Sequence, residues 1–427
     1  MPSNWLLLVL IAALPIMKPA IAYPIVLPDL AYLLLVGTVA VEVALRKRRL
    51  TWERANVVLL AYVASLAPSL LATSDLPASL IKLASNLYLV TLAGLTAMLV
   101  DSKLKLRRAI MVWLGATAVM VMLAPLSVAA FYLSTASPLL DYTSYDFGSL
   151  PPGDYPRLAL TFINANMMCN YLTVSLGLLL AANRCGWLQR RTFILLLLGI
   201  AFAAMTSLSP GLGGLALLAG VWTWLSERRR APTLATTALA AGVALCLLFT
   251  VALTVTPVVY STAPFLITVP GTDLILAPSA RLLTWSHAAG EFFRHPLAGH
   301  GIGIDAVAVT YPRPDGFVEH LTDAHNMFLS IAAQAGIIGV AGLCAVIALA
   351  VRLTGRLELD RRCAAALRLA LGLAFLDAFV IQGLGGSFED TRHLWVLLGL
   401  LVAAARLEPA VTRPDENNRT PAEPSPG

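Results

Sequence analysis

Residues 28–49 read PDLAYLLLVGTVAVEVALRKRR. An apolar run ends abruptly in Arg46-Lys47-Arg48-Arg49. A helical membrane span needs about 20 apolar residues, and cations collect where such a span meets the cytoplasm. The stretch therefore reads as one span with its cytoplasmic border. The pattern recurs along the chain. Apolar runs lie near 5–25, 28–45, 55–73, 78–100, 109–132, 159–183, 192–208, 211–226, 234–258, 328–351, 363–383 and 393–407, which makes about twelve spans of ~20 residues. Basic clusters follow every second run. They are Lys103, Lys105, Arg107 and Arg108; Arg184, Arg190 and Arg191; Arg228-Arg229-Arg230; and Arg352, Arg356, Arg361 and Arg362. This alternation puts those connections and both termini in the cytoplasm. The first run is broken by Pro15, Lys18 and Pro24 and lacks the basic opening of a signal peptide, so it reads as the first span.

Composition points the same way. The chain is 58% hydrophobic and 13% charged, with a mean hydropathy of +0.78, against about 25% charged residues in soluble domains. The expected fold is an all-α polytopic integral membrane protein. The net charge of +6 would raise nucleic acid in a soluble chain. Here the cations sit between apolar runs, so membrane lipids are expected as partners and nucleic acid is not. Cys169, Cys185, Cys246, Cys344 and Cys363 form no CxxC or Cys/His cluster. They are expected as buried, inert thiols, with neither a disulfide nor a zinc site.

The chain divides into 1–258 with nine spans, a large loop at 259–327, three spans at 328–407 and a Pro-, Glu- and Asn-rich tail at 408–427. The tail is expected to be disordered and cytoplasmic. The loop falls on the opposite, periplasmic face and is expected to hold short helices. It carries His287, His295, His300, His320 and His325, and His393 maps to the same face. Leu282 to Phe293 reads as an amphipathic helix stopped by His295-Pro296. Gly299, Gly301 and Gly303 allow a tight turn and close backbone approach. Asp323 reads as the N-cap of the span that Ala324-His325-Asn326 opens.

His325, where a wet loop enters the membrane, fits a general base with a pKa close to neutral. It equally fits a polar anchor of a helix end. Arg157, Arg281, Arg294, Arg313 and Arg392 share this face. Arginine makes bidentate, charge-assisted contacts with phosphate, so they suit an anionic lipid headgroup; solvated loop charge is the plainer alternative. The outer acids Asp146, Asp154, Asp305, Asp315, Glu319, Asp323, Glu389 and Asp390 show no metal-site spacing, which favours metal-independent chemistry. Glu42, Lys82 and Asp377 lie within spans. Glu42 and Asp377 fit structural roles, and Lys82 lies close enough to the outer surface to snorkel. They do not read as the set at one depth that a proton relay or transporter needs.

Four blocks in order carry a family resemblance. They are Arg157–Asn166 (RLALTFINAN), Arg281–Gly303 (RLLTWSHAAGEFFRHPLAGHGIG), Ala324–Gly339 (AHNMFLSIAAQAGIIG) and Phe388–Trp395 (FEDTRHLW). Together they resemble the O-antigen ligase and polymerase superfamily, most closely its ligases. That resemblance implies a GT-C-like, metal-independent, inverting glycosyltransferase that uses no cofactor. It implies a glycan donor carried on undecaprenyl diphosphate at the periplasmic face of the bacterial inner membrane. The acceptor would be lipid A–core in a ligase and another lipid-linked glycan in a polymerase. His325 and Arg281 match the family's essential pair and are the catalytic candidates. Arg157, Asn166, Arg313, His320, Asn326, Arg392 and Lys82 are the substrate-binding candidates. Where the family often has Ser-Arg-Gly, this chain has Ser209-Pro210-Gly211. Arg157, Arg313 and Lys82 are the candidates to replace the missing cation. A non-enzymatic polysaccharide transporter is the third reading, and the lack of paired broken helices in two halves speaks against it.

Overall fold

The computed structural model describes residues 1–18, 25–51, 53–133, 144–146, 155–257, 267–273, 275–303, 307–312, 318–355, 357 and 363–407. Arg313 and the tail at 408–427 lie outside the described residues. The helices are α1 (Pro2–Ala13), α2 (Leu27–Ala44), α3 (Arg54–Leu66), α4 (Leu76–Leu99), α5 (Lys103–Tyr132), α6 (Ala165–Arg184), α7 (Arg190–Thr206), α8 (Gly211–Glu227), α9 (Pro232–Ala252), α10 (Ala280–Arg294), α11 (Met327–Thr354), α12 (Cys363–Leu376) and α13 (Arg392–Leu407). Each of the twelve apolar runs overlies one helix, and α10 is the amphipathic helix of the loop. Eight of the helical segments are long and apolar enough to cross a membrane. The others are shorter: α1 has 12 residues, α7 and α8 have 17 each and α13 has 16. This is an all-α polytopic membrane protein.

Helices α6 and α13 form the centre, with nearly every side chain buried. Helix α9 is peripheral and packs on α8 through small residues. An added Cβ at Gly213, Gly220 or Gly242 would lie within 2.8 Å of the facing backbone. Close backbone approach of this kind is how helices associate without a hydrophobic drive. The flanks expose Leu33, Leu34, Leu195, Leu247 and Leu248, a surface suited to hydrocarbon. Ion pairs tie both ends of the bundle. At the basic end Glu42 accepts from Arg48 Nε at 2.8 Å and from Ser3 Oγ at 2.8 Å. At the loop end Arg392 grips Asp29 with two bonds of 2.6 and 2.8 Å, and Tyr88 donates to the same carboxylate at 3.0 Å.

The structure corrects several sequence expectations. Residues 157–160 do not open the sixth span. They form strand β2 (Arg157–Leu160), paired antiparallel with β1 (Ser144–Asp146), and α6 begins at Ala165 under an Asn164 cap. Leu158, Ala159 and Leu160 are buried without alternation, and apolar content alone does not separate a buried strand from a helix. The ninth span ends at Ala252, not 258. Its last residues belong to β3 (Val255–Pro257), which pairs with β5 (Ile275–Pro278) beside β4 (Ile267–Thr268). A hairpin of β6 (Val309–Pro312) and β7 (Val318–Leu321) follows. Among the described residues, then, the loop holds one helix and strands where short helices were expected. Cys185 and Cys363, expected as free thiols, form a disulfide. The C-terminus of α6 and the N-terminus of α12 bring their Cα atoms to 4.9 Å across a sequence separation of 178, a proximity no local motif announces.

The decisive packing feature is a break in α11 at Gly336, with φ 61° and ψ −161°. The segment after α10 docks into that break. His300 N donates to Ala333 O at 2.9 Å and Gly301 N to Gln334 O at 3.1 Å. Ile337 N donates to Pro296 O at 2.9 Å and Ile338 N to Leu297 O at 3.3 Å. Thus the donors and acceptors freed by the kink are re-satisfied by the loop, as backbone at membrane depth requires. Gly299 (φ 72°) and Gly336 meet back to back. A Cβ on Gly299 would lie 2.3 Å from the Gln334 carbonyl, and one on Gly336 would lie 2.4 Å from that of Leu297. Gly336→Ala should therefore cost at least about 1–3 kcal/mol from backbone strain alone. It should lower Tm in detergent by several degrees, whereas Gly303→Ala, with nothing within 4 Å of its Cβ, should be neutral.

Candidate active site at the loop end of the bundle

His325 precedes α11 in a left-handed conformation, φ 48°, which is costly for a residue with a Cβ. Asp323 holds it there. Its Oδ1 accepts from His325 N at 3.1 Å and from Ser387 Oγ at 2.6 Å, and its Oδ2 lies 3.6 Å from His325 Nδ1. The N-cap of α11 is Asn326, not Asp323 as expected. The Asn326 Oδ1 accepts from Phe328 N and Leu329 N, both at 3.1 Å. Asp323 instead holds the His325 backbone and faces the imidazole, whose side chain is 42% exposed.

Helix α10 supplies the cation. Trp285 Nε1 donates to Ala324 O at 2.9 Å, which pins α10 to the residue before His325. One turn earlier Arg281 Nη1 donates to Gly385 O at 2.8 Å. Gly385 lines a narrow cleft together with Asn166, Ser209, Pro210, Gly211 and Gln382. Arg157 is fastened to the turn between α7 and α8. Its Nε donates to Ser207 O at 3.2 Å and its Nη2 to Asn166 Oδ1 at 3.0 Å, the oxygen that also accepts from Ser209 Oγ at 3.0 Å. Arg157 therefore sits on the very turn where Pro210 replaces the arginine the resemblance implies.

The charges interact. Burial lowers the Arg281 guanidinium to about 10; nearby Arg157 adds to the shift and Asp323 opposes it. It is still cationic at neutral pH. Burial also holds the His325 imidazole below its ordinary value, with Asp323 acting against the shift and Arg281 with it. The site thus places the His325 imidazole near Arg281, and Arg281 near Arg157, whose charges repel. An anionic group between the arginines would relieve that repulsion.

The other candidates lie elsewhere. Lys82 is ion-paired with Asp390. Arg392 is bound to Asp29 and lies over the Tyr88 ring, as a clamp joining α2, α4 and α13. His320 bonds Thr310 across the β6–β7 hairpin, Nδ1 to Oγ1 at 2.6 Å. Asn326 spends its side-chain oxygen on capping. His393, expected at the outer face, is fully buried, and its Nε2 lies 2.7 Å from Asn170 Oδ1. Asn170 in turn donates to Gln382 Oε1 at 3.1 Å, and Gln382 Nε2 donates to Asp377 Oδ1 at 3.2 Å. A polar chain that the scattered sequence positions did not reveal thus runs beneath the cleft. Sequence reasoning also missed Ser387 and the Gly385 carbonyl. Small polar residues in apolar sequence carry no such signal, although Asp323 two residues before His325 was visible.

Residues 172–344 match the O-antigen ligase family model. The match supports the O-antigen ligase and polymerase superfamily. That family is enzymatic, of ligase- or polymerase-type glycosyl transfer, and its partners are in general lipid-linked glycans and acceptors of the lipid A–core type. With the apolar helices, it indicates a bacterial membrane protein. The matched segment contains Arg281, His325 and the Ser209-Pro210-Gly211 turn; Arg157 and Asn166 precede it. No curated protein matches the chain. The electrostatics set the pH dependence expected of glycosyl transfer. If His325 is the base of that reaction, the rate should fall as pH drops through a value below the usual histidine figure of about 6.5. Asp323→Asn, which removes the group that raises this pKa, should move the acid limb lower still in a pH–rate profile.

Proposed function

We propose that this protein transfers a glycan from undecaprenyl diphosphate to a sugar hydroxyl of lipid A–core in lipopolysaccharide assembly. The reaction would take place at the periplasmic face of the inner membrane, with both termini in the cytoplasm. The observation that carries this reading is that Arg281 and Arg157 each bond a residue lining one cleft, Gly385 and Asn166, while His325 with Asp323 lies within electrostatic reach of Arg281, within and beside the family-matched segment.

Asp323 faces Nδ1 of His325, so Nε2 is the nitrogen that serves as base. His325 accepts the proton of the acceptor hydroxyl as its oxygen bonds to the anomeric carbon. The bond from that carbon to the lipid diphosphate breaks, and the electron pair leaves with the diphosphate. Arg281 and Arg157 stabilise the charge that develops there. Preorganised cations in a partly dehydrated site act without reorganisation at the moment of reaction. A single displacement inverts the anomeric centre, and the step balances without a metal or a cofactor. Arg157 supplies the cation absent at position 210.

The test is full-length protein reconstituted with lipid-linked glycan and lipid A–core. His325→Ala and Arg281→Ala should each lower transfer by at least about 100-fold, the scale of lost general acid–base or oxyanion stabilisation. Near-normal rates in both folded variants would sink the mechanism. Lipid-linked glycans of increased length, in place of glycan joined to lipid A–core, would identify a polymerase. Flux without a new glycosidic bond would identify a transporter. A second test addresses the turn: Arg157→Ala should lose activity, and Pro210→Arg in that background should restore part of it.

A further inference from the structure

We propose that Glu291, His295 and His300 form a binding site for a divalent transition-metal ion of the zinc class, which staples the end of α10 to the loop inserted in α11. Among the described residues this is the group of three His, Cys, Asp or Glu side chains close enough to share an ion. One ligand atom from each lies within 4.8 Å of the other two. The sequence spacing is Glu-x3-His-x4-His. The first two residues are four apart at the end of α10, a separation that brings side chains onto one helix face. The third is placed by the docked loop, where His300 N donates to Ala333 O at 2.9 Å.

The donor set is suited to such an ion. Two imidazoles and a carboxylate with an open fourth position is a standard arrangement for zinc, and imidazole also takes copper, nickel or iron. Glu291 is the buried anchor, with 7% of its surface exposed. Its oxygens have separate tasks. Oε1 pairs with Arg294, and Oε2 lies 3.8 Å from His300 Nδ1. The two histidine rings lie 5.4 Å apart, His295 is exposed and the His300 side chain is 41% exposed. They can therefore rotate to the ~2.0–2.1 Å bonds that zinc requires without moving the backbone. The site is separate from the transfer chemistry. Arg281 and Glu291 are ten residues apart on one helix, about 15 Å at 1.5 Å per residue. The ion would act on the fold, by holding residues 296–301 in the break of α11.

The experiment uses full-length protein in detergent, stripped with a chelator, desalted and titrated with Zn²⁺ against a chromophoric competitor. Wild type should take up one tight equivalent. His295→Ala and His300→Ala should each weaken it at least tenfold, and His320→Ala should leave it unchanged. Zinc should raise the Tm of wild type and not that of His300→Ala. His295, at the exposed end of the helix, carries the same test if the His300 variant cannot be purified. Absence of a tight equivalent in wild type, or unchanged affinity in both histidine variants, would overturn the proposal.

Discussion

The insertion of residues 296–301 into the broken helix α11 is the constraint on which the loop end of the molecule depends. A helix that breaks at membrane depth leaves donors and acceptors that hydrocarbon cannot satisfy. Here Pro296, Leu297, His300 and Gly301 satisfy them. The close approach tolerates no side chain at Gly299 or Gly336. Because the inserted segment continues directly from α10, the break also fixes where α10 lies against α11. Trp285 completes the registration at the other end by bonding Ala324 O. The result is that Arg281, at the start of one helix, comes within electrostatic reach of His325, just before the other.

The site is built from strain and unlike charges held close together. A left-handed His325 is kept in place by an Asp323 that itself accepts from Ser387. Two arginines approach each other with one carboxylate nearby. Such an arrangement is costly in the resting protein, and an anionic ligand relieves it. By contrast, the ion pairs Arg392–Asp29 and Glu42–Arg48 are saturated by their neighbours and act as fasteners between helices. Arginines on one face of a membrane protein thus divide into saturated clamps such as Arg392 and the mutually repelling pair Arg281 and Arg157.

Much of this was legible in residue order. Basic clusters after every second apolar run gave the twelve helical segments, and the motifs around Arg281, Gly299 and His325 marked the loop that matters. Both follow from local chemistry: hydropathy over about 20 residues, and glycine where no Cβ fits. The amphipathic pattern of 282–293 likewise announced α10. The strand at Arg157–Leu160 was misread because burial on all sides removes the polar alternation that would distinguish it from a helix end.

What the sequence determined by itself is the all-α membrane fold and a short list of candidate side chains, because each rests on a property of neighbouring residues. What only the tertiary structure decided is pairing. Arg157 on the turn beside Pro210, Arg392 on Asp29, Lys82 on Asp390, Cys185 on Cys363 and His393 on Asn170 all join residues dozens to hundreds of positions apart. No local pattern encodes those meetings. They arise when the helices pack and each buried polar group takes the partner that packing brings within reach.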